Sequence, residues 1–133
     1  MCVLETAPKE MSGLNISLAT VMAWVARLCG LAALGTGALS WFAYNAPLLA
    51  HVVLGGLLVS TLFILALQSP ASVTQRTALA VAAAVVVPVL GLLELKPLLG
   101  QFQWTLRWLH PAVGIGCIGM AEMLAKQIRA YRL

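Results

Sequence analysis

Charge is what this chain has least of. Only 9% of its 133 residues are charged, where soluble domains carry about a quarter, and between Leu28 and Gln75 there is no Asp, Glu, Lys or Arg. That scarcity excludes a soluble globular core. Cysteine is equally sparse: Cys2, Cys29 and Cys117 share no CxxC spacing, which argues against a disulfide framework and a zinc site. Two of the three fall in apolar stretches and read as small buried side chains. The first thirteen residues contain Glu5, Lys9 and Glu10 and no apolar run of signal length, so no cleavable signal peptide is expected.

What remains is apolar. Hydrophobic residues make up 62% of the chain and the mean hydropathy is +0.98. One crossing of a ~30 Å hydrocarbon layer takes about 20 residues, so the uncharged stretch is long enough for two. Further apolar stretches at Thr77–Leu93 and Trp108–Ala121 supply two more. The expected fold is all-α: an integral membrane four-helix up-down-up-down bundle. A polar tail covers 1–13 and a transmembrane domain 14–133, with helices at about 15–43, 47–68, 73–95 and 108–131. Asn45-Ala46-Pro47 opens the second helix, and Ser69-Pro70-Ala71-Ser72 ends it. Pro88 interrupts the third, and Pro111 stands near the start of the fourth.

A net charge of +4 and a pI near 9.4 do not make a nucleic-acid surface, because the basic residues sit at helix ends and form no basic face. They act as topology signals. Lys9, Arg76, Lys126, Arg129 and Arg132 fall on one side, Lys96 and Arg107 on the other, which puts both termini in the cytoplasm, in a bacterial inner membrane. Membrane lipid is the first expected partner. Trp41, Tyr44, Trp104 and Trp108 mark the outer interface. Small residues at four-residue spacing, Ala33 and Gly37, Gly56 and Ser60, Ala112, Gly116 and Met120, are expected where helices touch.

Function must then be read from the few polar groups inside the spans. There are two histidines. His51 lies just inside the second helix and His110 immediately precedes Pro111, so both imidazoles are expected at one depth near the outer face. Each is followed four residues on by glycine, Gly55 and Gly114, on the same helix face, which leaves bare backbone beside each ring. Two neutral imidazoles with room for a flat group between them suit a six-coordinate haem iron. Arg107 and Lys96 are the candidates for holding haem propionates. Two histidines alone would leave zinc or copper short of ligands. Cys117, Met120 and Met123 form a helical row that reads as packing. Glu122 is expected to pair with Lys126 or Arg27, and Glu94 with Lys96 or Arg107.

The stretches Leu49-Ala50-His51-Val52-Val53-Leu54-Gly55 and Trp108-Leu109-His110-Pro111-Ala112-Val113-Gly114 resemble each other as half repeats. Together they resemble one four-helix half of the haem A synthase family. The resemblance implies bis-histidine haem ligation at His51 and His110. The chain departs from that family one turn before His51, where Leu48 replaces a glutamate, and in the outer loops, which lack a cysteine pair. Haem A synthesis is therefore not carried over. The leading expectation is a small membrane b-type cytochrome with one haem b, transferring electrons between a quinol and a redox partner, as a homo-oligomer or a subunit of a larger redox complex. A self-sufficient enzyme is the lesser expectation. The alternatives are a structural or assembly subunit and a haem carrier or sensor.

Overall fold

In the computed structural model the described residues are 10–42, 47–69, 74–94, 100 and 102–131, with side chains described from Leu18 onward. They form four helices and no strand: α1 Glu10–Phe42, α2 Leu48–Gln68, α3 Thr74–Glu94 and α4 Gln103–Tyr131. Each is long and apolar enough to cross a membrane. The chain is read here as a multi-pass membrane protein built as a four-helix bundle.

Two helix starts differ from expectation. α1 begins at Glu10, ahead of the expected 15. α4 begins at Gln103, so Trp104, Arg107 and Trp108 are on the helix itself and Pro111 lies in its interior. A proline there removes one i→i−4 bond, which a helix tolerates where neighbouring groups re-satisfy the freed carbonyl. Pro88 does the same in α3. At α2 the local chemistry is simple. The Pro47 carbonyl accepts the His51 N–H at 3.1 Å, which fixes His51 in the first turn. At the other end Ser69 is extended (φ −68°, ψ 137°), the conformation a following proline demands. Residues 43–46, where a turn is expected, and residues 70–73 lie outside the described residues, as does Lys96.

Each helix buries one stripe with three- and four-residue spacing, the pattern that keeps a seam facing a partner. On α1 it is Ala19, Ala23, Ala26, Gly30 and Ala33, on α3 Ala80, Ala84 and Val87, and on α4 Cys117, Ala121, Leu124 and Ile128. α2 contributes the larger Leu58, Leu62 and Leu65. α2 packs on the other three helices, and α1 on α2 and α4. Because the α1 stripe carries nothing bigger than a methyl group, its backbone comes close to its neighbours. Outward-facing side chains are apolar and exposed, Leu28, Leu49 and Leu67 among them, as a lipid-facing surface requires.

The small-residue spacing has a mixed outcome. Ala33 is buried and Gly37 lies against His51. Gly56, Ser60, Ala112 and Gly116 are exposed, on the outer surface of this bundle and not at its helix contacts. Cys117 is fully buried, in keeping with its reading as packing.

The close approach is tightest at Gly30. A Cβ there would lie 2.5 Å from Ile118 Cδ1 and Cγ1, so Gly30→Leu is expected to lower stability by about 1–3 kcal/mol through overpacking. Thermal unfolding in detergent should show the loss, and Ile118→Ala in the same chain should restore part of it. An unchanged melting temperature for the single variant would contradict the packing described.

Candidate functional site

The two histidines are brought together. Although His51 is in the first turn of α2 and His110 is two turns into α4, their ring centroids lie 6.0 Å apart with planes inclined at 44°. The earlier start of α4 thus moves His110 along its helix without separating the pair.

Each ring rests on a glycine of the preceding helix. A Cβ on Gly37 of α1 would sit 3.0 Å from His51 Cε1, and one on Gly91 of α3 would sit 3.2 Å from His110 Cε1. These two glycines, not Gly55 and Gly114, make direct room for the imidazoles. Around Gly55 no atom lies within 4 Å of an added Cβ, and at Gly114 only Leu34 Cδ2 does, at 4.0 Å. Gly37 was visible in the sequence as a small residue. Its service to His51 requires the α1–α2 pairing, and Gly91 carried no signal beyond its place after Pro88.

The tautomer of His51 follows from its partner. Nδ1 lies 2.8 Å from the Ala33 carbonyl, which can only accept, so Nδ1 carries the proton. The Thr36 hydroxyl, 3.5 Å away, points its own hydrogen back to the α1 carbonyls of Ala32 and Ala33. Nε2 is therefore left with its lone pair, the state a metal-ligating imidazole needs. On His110 the buried Nδ1 makes no hydrogen bond of acceptable geometry, with the Val87 backbone beside it.

Further polar groups ring this end of the bundle. Glu94 has a buried Oε1 without a hydrogen-bond partner among the described residues. It forms no ion pair with Arg107, and the other expected partner, Lys96, lies outside the described residues. The Glu94 main-chain carbonyl accepts from Gln103 Nε2 at 3.4 Å. The Arg107 guanidinium lies 5.5 Å from the Trp41 ring centre, and Trp41, Trp108 and Trp104 form an edge-to-face series at 5.1 and 6.0 Å. This cluster ties the end of α1 to the beginning of α4.

Further along α1 and α4, away from the histidines, lies a second polar layer. Arg27 and Glu122 form an ion pair, with Arg27 Nη2 donating to Glu122 Oε2 at 2.6 Å, and Arg27 also lies over the Trp24 ring at 4.9 Å. Of the two partners expected for Glu122, the cross-bundle one is taken.

Could the histidine pair accept haem? Two metal–nitrogen bonds of about 2.0 Å, with roughly 1.2 Å from each ring centre to its nitrogen, set ring centres about 6 Å apart. The observed 6.0 Å agrees. Among the described residues no group of three or more His, Cys, Asp or Glu is placed to hold a metal ion, so two imidazoles suit a metal that brings its remaining ligands with it. The open backbone at Gly55 leaves room beside such a group.

Compared with known proteins, the chain matches no family model, no curated protein and no solved structure. Its functional reading therefore rests on its own residues.

The Arg27–Glu122 pair is testable by itself. A double-mutant cycle with Arg27→Gln and Glu122→Gln is expected to give a coupling on the order of 1–2 kcal/mol in detergent unfolding. A coupling near zero would mean that the two charges act independently.

Proposed function

We propose that the protein is a small bis-histidine haem b protein of a bacterial inner membrane that carries single electrons. The observation supporting this most directly is the level pair of imidazoles, one already held in the ligating tautomer by Ala33. In this reading the bundle runs up-down-up-down with both termini cytoplasmic, which the distribution of Lys and Arg favours. His51 and His110 would be the axial ligands, and haem would supply a one-electron couple whose potential depends on those ligands and on burial.

The chain's own residues then have defined work. Ala33 and Thr36 orient His51. Gly37 and Gly91 make room for the edges of the His51 and His110 rings, and Gly55 and Gly114 leave backbone surface bare for a planar group. Arg107, with Lys96 from the outer loop, would supply positive charge for propionates. Electron donor and acceptor are proposed to be a quinol and a redox partner, with the protein serving as a homo-oligomer or as a subunit of a larger complex. No residue is assigned as a general base, so an electron carrier is favoured over a self-sufficient enzyme.

One observation favours a second reading. The His51–Ala33 bond joins α2 to α1, so His51 already has a use as an interhelical fastener in a structural or assembly subunit.

Absorption spectra of the detergent-purified protein, expressed with ample haem, separate the two readings. A Soret band with a sharp reduced α band is expected. His51→Ala and His110→Ala should each abolish the low-spin spectrum and lower haem occupancy at least about tenfold while the protein still inserts. A colourless wild type, or full haem retention in both variants, would leave the fastener. In the same assay Gly37→Leu and Gly91→Leu are expected to weaken haem binding by about ten- to a hundredfold, because each displaces a ligand ring. Normal haem binding by both would show that these contacts do not position the imidazoles.

A further inference from the structure

At the end of the bundle away from the histidines, α1 and α4 enclose a cleft of about 60 Å³ lined by Thr20, Trp24, Arg27, Glu122, Lys126 and Arg129, with Ala23 at its floor. Three of these side chains are cationic and one is anionic. Glu122 is engaged by Arg27, so the charges of Lys126 and Arg129 have no acidic partner among the described residues. Arg129 is turned across the cleft toward α1, its Nη1 donating to Thr20 Oγ1 at 3.3 Å. Glu122, Lys126 and Arg129 follow one another at four and three residues and so share one face of α4. The local excess is two positive charges, held in one place toward the C-terminal end of α4.

From this arrangement we infer that the cleft binds the phosphate of an anionic phospholipid headgroup. Arg and Lys are the side chains that recognise phosphate, Arg through its planar fork and Lys as a point charge. Basic pockets between transmembrane helices at the membrane surface take acidic lipid headgroups by this chemistry. A lipid is favoured over free phosphate by what flanks the cleft. Val21, Trp24 and Leu28 form an exposed apolar strip along α1, and Met123 is exposed on α4, so acyl chains have a surface to lie on that a free anion would not use. The cleft also lies close to the C-terminal end of α4, with Arg129 in its last turn. With Arg27 and Glu122 paired to each other, Lys126 and Arg129 are left as its binding groups. This site is independent of the histidine pair and of any haem there.

Native mass spectrometry of the full-length protein in an uncharged detergent tests it. The protein is incubated with equal amounts of short-chain phosphatidylglycerol and phosphatidylcholine. Preferential retention of phosphatidylglycerol is expected, falling about fivefold for Lys126→Gln and again for Arg129→Gln. Arg76→Gln, at the start of α3 and outside the cleft, should leave the preference unchanged. Lys126 is exposed, so its variant tests the charge without disturbing the core. Equal retention of the two lipids overturns the inference, as does an equal loss with Arg76→Gln, which would reveal a bulk charge effect. Displacement of phosphatidylglycerol by the same concentration of inorganic phosphate would give the cleft to a free anion and overturn the lipid assignment.

Discussion

The close approach of α1 to α2 and α4 is the constraint on which the other features rest. Helices in lipid gain little from hiding apolar surface, because the solvent is apolar too, so they associate through dense packing and the hydrogen bonds that packing permits. Ala19, Ala23, Ala26, Gly30 and Ala33 give α1 a face without bulk, against which α2 sets Leu58, Leu62 and Leu65. Small side chains on one helix and large ones on the next interdigitate. At Gly30 the fit is so tight that no side chain can be added without moving Ile118.

That approach places two polar contacts along α1. In the C-terminal half of the helix the Ala33 carbonyl comes within 2.8 Å of His51, and near its middle Arg27 reaches Glu122. Both contacts lie in spans where an unpaired charge or donor is costly. The buried core lies mainly around the ion pair and on its side away from the histidines, with Ala19, Ala23 and Ala26 on α1 and Ala121, Leu124, Ala125 and Ile128 on α4. Near the histidines the described residues are mostly half-buried or exposed, with Ala33, Val87 and Leu90 as the buried exceptions. The bundle is therefore closed around aliphatic side chains at one end and more open around polar ones at the other.

The two halves of the chain repeat one device. In α1–α2 a glycine near the end of the first helix receives an imidazole from the start of the second. In α3–α4, Gly91 receives His110 in the same way. The halves are not equivalent in detail: His51 has a hydrogen-bonded Nδ1 and His110 does not. One ring is fixed by a hydrogen bond and the other mainly by its contact with Gly91. That difference matters for any ligand held between them, since the hydrogen bond on one nitrogen sets what the other can offer.

The number of helices and their apolar character could be read from the sequence, because lipid demands continuous hydrogen-bonded helices of fixed length, and composition reports that directly. The choice of His51 and His110 was also legible, since imidazoles are rare enough in such spans to stand out. The start of α4 was not, because Gln103 to Trp108 is polar and aromatic and reads equally as an interfacial segment or a first helical turn. Nor were the partners. Gly55 and Gly114 share a helix with their histidines and can be found by counting, whereas Gly37 and Gly91 lie on other helices and meet them only after packing. Likewise, Lys126 and Arg27 were equal candidates for Glu122 until the alanine face of α1 brought Arg27 across. Spacing along a chain fixes what shares a helix face; which face meets which depends on side-chain volumes summed over the whole bundle.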